Sequence, residues 1–86
     1  MAAQTAATTI RESLGSLILF IFTFTSVADA DTFASGLGTS VKGYWANSES
    51  AETAGDEGVN VTNSSGTFTL NLKTTGALTL YVLATV

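Results

Sequence analysis

At 86 residues with neither Cys nor His, the chain is read as one small domain that must hold its core without disulfides or an ordinary zinc site. A net charge of −4, with only Arg11, Lys42 and Lys73 as cations, excludes the basic stripe through which proteins neutralise phosphates, so nucleic acid is not an expected partner. Charged residues make up 12% of the chain and hydrophobic ones 45%, against about 25% charged in an ordinary soluble domain, so part of the surface is expected to be covered in the working state.

Residues 1–13 are rich in Ala, Thr and Gln and are read as an extended N-terminal arm, in which Thr8-Thr9-Ile10 begins a strand leading into Leu14. Such an arm either packs along its own domain or adds to the sheet edge of a neighbour. The remaining residues, 14–86, form a single β-domain in this reading.

The stretch "SLILFIFTFTSVADA", Ser16 to Ala30, admits three readings. A secretion signal would use Arg11 as its cation and Ala28-Asp29-Ala30 as its cleavage site, but the preceding region is long and Glu12 follows the only cation. A membrane helix from Leu17 to Val27 would rise only about 16 Å, roughly half of the hydrocarbon thickness, so no membrane span is expected. The β-branched and aromatic run Ile18, Phe20, Ile21, Phe22, Thr23, Phe24, Thr25 and Val27 favours a long strand. Ile18, Phe20, Phe22 and Phe24 share one face, with Leu17, Leu19, Ile21, Thr23 and Thr25 on the other. The first half is apolar on both faces and therefore needs cover on both.

Next, "DADTFASG" reads as a short helical turn capped by an Asp and ended by Gly36. "VKGYWAN" reads as a second strand with Tyr44 and Trp45 on opposite faces, followed by the acidic loop Ser48–Gly58. Val59 and Val61, the turn Asn63-Ser64-Ser65-Gly66, and the alternating Phe68, Leu70 and Leu72 form a hairpin signature. A further turn at Thr74–Ala77 leads into Leu78, Leu80, Val82, Ala84 and Val86, so the last three strands are expected as a meander. The fold class expected is all-β: a small antiparallel β-sandwich or barrel of about six strands with an extended N-terminal arm.

Thiol nucleophiles and His-based triads are absent by composition, and a Ser/Lys pairing would rest on Lys42 or Lys73, both at solvent-facing positions. No enzyme activity, cofactor or metal centre is expected. Asp29 and Asp31, or Glu49, Glu52, Asp56 and Glu57, offer oxygen ligands but lack the spacing of a calcium loop, and capping and solvation account for them. Asn60-Val61-Thr62 and Asn63-Ser64-Ser65 match the glycosylation pattern, with turn chemistry the better account of Asn63. Tyr44 and Trp45 are candidates for an exposed aromatic contact, although a lone Trp in a small β-domain is expected to anchor the core.

The succession "FIFTFT", "DADTFASGLG", "VKGYWAN", an acidic spacer, "GTFTLNL" and "GALTLYVLATV" resembles the small Thr- and Gly-rich structural proteins of tailed-phage virions, including capsid decoration and stabilisation proteins. The resemblance implies a multicopy, cysteine-free virion protein without an active site. Its partners would be copies of itself, for instance in a trimer, and the major capsid protein or another virion protein. Ile10, Leu17, Leu19 and Ile21 are the residues expected at the inter-subunit contact. The alternatives are a self-polymerising fibre or pilus-like subunit, and a secreted β-sandwich binding module using Tyr44 and Trp45.

Overall fold

The computed structural model describes residues 2–48, 60–72 and 75–85. Seven strands form: β1 (Thr8–Leu14), β2 (Leu17–Val27), β3 (Asp31–Ala34), β4 (Val41–Ser48), β5 (Asn60–Ser64), β6 (Thr67–Asn71) and β7 (Gly76–Thr85). They make two antiparallel sheets, one ordered β1-β2-β7-β4 and the other β3-β6-β5, which pack as a small β-sandwich. The acidic residues Glu49, Glu52, Asp56 and Glu57, together with Lys73, lie outside the described residues.

The core lies between the sheets and follows from strand alternation. Ile18, Phe22 and Phe24 of β2 and Leu78, Leu80, Val82 and Ala84 of β7 are buried on one side. Phe33 of β3 and Phe68 and Leu70 of β6 are buried opposite them. Aromatic edges join the layers: Phe33 meets Phe22 at 4.8 Å and Phe24 at 5.0 Å between ring centroids, and Phe68 meets Tyr44 at 5.3 Å, all edge-to-face. A register shift in β2 between Phe24 and Val27 lets both residues face the core, which strict alternation forbids for this pair.

Two expectations are corrected. Residues Asp31–Ala34 form β3, not a capped helical turn, because Phe33 fills the gap between Phe22 and Phe24 and holds its neighbours extended against β6. The short helical turn falls later, as a 3₁₀ turn at Gly38–Ser40. The last three strands are not a meander: β5 and β6 pair, but β7 joins the other sheet between β2 and β4. β7 carries Tyr81 and Leu83 on the face opposite Leu80 and Val82, so it takes a central place flanked on both sides.

The hairpin turns obey backbone sterics. Ser65 and Gly66, at φ 50° and 91°, make a two-residue connection with both centres left-handed, as hairpin twist demands, and Asn63 Oδ1 accepts the Gly66 N–H at 2.9 Å. This turn docks on the 35–38 segment through Ser35, whose N–H and hydroxyl both donate to the Gly66 carbonyl. A Cβ at Gly66 would overlap the Gly38 backbone. Gly15, at φ 79° in the β1–β2 turn, has open space around it.

Gly66→Ala is therefore expected to cost about 1–3 kcal/mol in steric overlap beyond its dihedral strain, whereas Gly15→Ala costs only about 1–2 kcal/mol of strain. Phe68→Ala, which empties a fully buried site, is expected to cost about 3–5 kcal/mol. Urea unfolding of the three variants checks the order, and an equal loss for the two glycine variants contradicts the docking of the second turn.

Candidate assembly surface

The outer face of the β1-β2-β7-β4 sheet is built by the residues that alternate with the core. Strand register arranges them in rows across the sheet. Ile10 pairs with Ile21, Ile21 with Tyr81, and Tyr81 with Trp45, giving an unbroken apolar row over all four strands. Beside it run Glu12, Leu19, Leu83 and Gly43, and then Leu14, Leu17 and Thr85. On the other side lies a polar row of Thr8, Thr23, Thr79 and Asn47, in which the Thr8 and Thr23 hydroxyls hydrogen bond.

Among the described residues, no layer of the sandwich covers this face. Ile10 is 48% exposed, Leu14 54% and Trp45 46%, while Leu17, Leu19, Ile21, Tyr81 and Leu83 are half-buried by their neighbours in the sheet. Trp45 stacks on Tyr81 with ring centroids 5.0 Å apart and planes at 8°. The three rows together, Glu12 and Thr85 included, span on the order of 400 Å² at about 4.8 Å between strands and about 7 Å between same-face residues.

The opposite outer face of the molecule provides an internal control. On the β3-β6-β5 sheet, register lines up Thr32, Thr69 and Thr62, and then Ala34, Thr67 and Ser64. The same chain thus gives one sheet a hydroxyl-rich exterior and leaves the other apolar. Such a difference between two solvent-facing layers makes the apolar one the candidate contact surface.

The four residues named for inter-subunit contact, Ile10, Leu17, Leu19 and Ile21, come together on this one face. Trp45 is placed there as well and does not anchor the core, because the register of β4 assigns the inward position to Tyr44. Tyr44 and Trp45 still line a shared open cleft of about 240 Å³ with Ala46 and Val61, at the margin of β4. Sequence reasoning missed Leu14, Tyr81 and Leu83 as surface partners. The signal available was "LYVLATV", where apolar residues occupy both parities of a strand.

A second cluster fixes the start of the chain. Asp31 is only 3% exposed, and its carboxylate accepts N–H bonds from Ala2 at 2.9 Å, Ala28 at 2.9 Å and the Gln4 side chain at 2.7 Å. Residues 2–4 then pair with Thr32, whose N–H donates to the Ala2 carbonyl and whose carbonyl accepts from Gln4 N–H, covering the edge of β3. Asp29 and Asp31, the first of the two acidic groups considered as calcium ligands, are thus both engaged as internal acceptors, since Asp29 Oδ1 accepts the Leu72 N–H. Among the described residues no group of three or more His, Cys, Asp or Glu side chains is arranged to hold a metal. Nor does any described helix have the length and apolarity to cross a membrane.

The backbone N–H bonds from Ala28 and Ala2, with the Gln4 amide, hold the Asp31 carboxyl below its ordinary value of 3.8. A carboxyl lowered by folding contributes stability above its unfolded pKa and loses it as pH falls through the folded value. The N-terminal tie should accordingly survive at pH 5 and release only below the ordinary Asp range. Asp31→Asn is expected to speed hydrogen exchange at the Thr32 amide by on the order of tenfold or more, and unchanged exchange contradicts the tie.

No protein-family model, curated protein or solved structure matches the chain.

Proposed function

We propose that this protein is a multicopy structural subunit of a virion, a capsid decoration or spike protein that assembles with copies of itself and clamps a shell of major capsid protein. The observation that carries the reading is the uncovered apolar face of the β1-β2-β7-β4 sheet, set against the hydroxyl-rich exterior of the other sheet. Burying Ile10, Leu14 and Trp45 alone removes three large, half-exposed side chains from water, each worth about 1 kcal/mol or more. The virion assignment itself rests on the resemblance of the sequence layout to tailed-phage structural proteins. The role is structural and not catalytic in this reading, and the particle is its location.

A head-to-tail fibre is the second reading, favoured by one observation. β1 and β4 are the two margins of the same sheet and run antiparallel to one another, so each could continue the sheet of a neighbour. A fibre joined by an arm donated to the next subunit is disfavoured, because residues 2–4 already pair with Thr32 of their own chain.

Light scattering of the purified chain at tens of micromolar is expected to give a small closed oligomer. Leu19→Lys with Leu83→Glu, directly opposite each other on the outer face and away from the core, sets unlike charges side by side within the chain and should raise the dissociation concentration by about tenfold or more while leaving the fold intact. A wild-type monomer at that concentration contradicts the proposal, and open-ended polymers select the fibre.

A further inference from the structure

We infer that β1 is a self-pairing strand: it joins β1 of a second copy, antiparallel and centred on Ile10, into one eight-stranded sheet. The inference rests on the assembly reading above and specifies how the first two copies meet.

All seven residues of β1 are exposed, on both faces of the sheet, and β1 lies at the margin with a partner on one side only. The three-stranded layer packs beneath β2, β7 and β4, so Thr9, Arg11 and Ser13 on the inward side of β1 have no layer under them, except that the Arg11 guanidinium lies 6.0 Å from the Phe20 ring. A marginal strand offers a row of unpaired backbone N–H and carbonyl groups, which a second extended strand satisfies. By contrast, the margin at β3 is covered by residues 2–4 of the same chain. Among the described residues, one edge is thus closed and this one is left open.

Charge selects the register. A two-fold axis perpendicular to the sheet places residues of the same face opposite each other, so the axis passes through a residue paired with its own copy. Centred on Arg11, the pairing sets Arg11 against Arg11 and Ile10 against Glu12 of the second copy. Centred on Glu12, it sets the two Glu12 side chains against each other. Like charges directly opposite are destabilising. Centring on Thr9 or on Ser13 pairs only three residues of the strand. Centred on Ile10, five residues pair, Thr8 to Glu12, with Ile10 opposite Ile10, Thr9 opposite Arg11 and Thr8 opposite Glu12. No charge then directly meets its like.

The size of the outer face favours the same pairing. One outer face offers on the order of 400 Å², about half of the roughly 800 Å² per partner of a standard interface. Pairing through β1 joins the two apolar rows end to end, as Trp45-Tyr81-Ile21-Ile10 and then Ile10-Ile21-Tyr81-Trp45 of the second copy. The resulting platform reaches the size of a standard interface.

The chain has no Cys, so single-Cys variants of the full chain read the register cleanly under diamide oxidation. Directly opposite residues lie within about 5.5 Å at Cβ, near disulfide reach, whereas two Glu12 positions would be about 13 Å apart along the strands. Ile10→Cys is expected to form a covalent dimer at least about tenfold faster than Glu12→Cys or Leu83→Cys. As a second readout that does not touch Ile10, Thr9→Cys and Arg11→Cys should cross-link when mixed and not when separate. Fastest cross-linking at Glu12 or Leu14 overturns the register. Fastest cross-linking at Leu83 in protein that light scattering shows to be multimeric overturns β1 pairing and leaves the assembly reading standing. Failure of all variants in monomeric protein overturns both.

Discussion

Two central strands that are apolar on both faces, in a domain with cover for only one, are the constraint on which the rest of this structure depends. β2 and β7 lie side by side in the middle of the four-stranded sheet and send Phe22, Phe24, Leu78, Leu80 and Val82 into the core. The same strands send Leu19, Ile21, Tyr81 and Leu83 outward. A chain of this size has too little material for a third layer, since a domain near 60–90 residues buries only roughly 60–65% of its unfolded surface. Its second sheet, three strands wide, is spent on the inner face. Among the described residues nothing else covers the outer face, and its contrast with the threonine rows on the far side argues for cover by another molecule.

The margins of the sheets are treated unequally, and Asp31 is responsible for one of them. Its carboxylate gathers three N–H donors from Ala2, Gln4 and Ala28, and so lays the first residues along β3 as a partial extra strand. A buried carboxylate is tolerable because those donors replace its water. Nothing equivalent protects β1 among the described residues. Edge protection and edge exposure therefore coexist in one chain, and the exposed edge carries the apolar row out to Ile10.

Much of the architecture was legible from alternation. The long β2, the strand at "VKGYWAN", the Asn63–Gly66 turn and the β-sandwich class follow from period-two patterning and turn chemistry. β3 was not legible, because "DTFA" has the polarity of a capped turn and becomes a strand only through the pocket that Phe22 and Phe24 make for Phe33. The position of β7 was hidden for a related reason: local pattern says that strands exist, while their neighbours are decided by tertiary packing. At the surface, Leu17, Leu19 and Ile21 could be grouped because they share a parity within one strand, and Ile10 joined them as the apolar end of the N-terminal arm. Trp45, Tyr81 and Leu83 could not, since their membership depends on a register between strands far apart in sequence.

The central claim, that the outer face of the four-stranded sheet is covered in the working state, has an intrinsic reporter in Trp45, the only Trp in the chain. Acrylamide quenching of its fluorescence, compared between assembled and diluted protein, tests the claim most directly. The account predicts that assembly shifts the emission to shorter wavelength and lowers the quenching constant severalfold. Equal quenching in the assembled and dissociated states would contradict it, because a face that stays wet is not the one that holds the copies together.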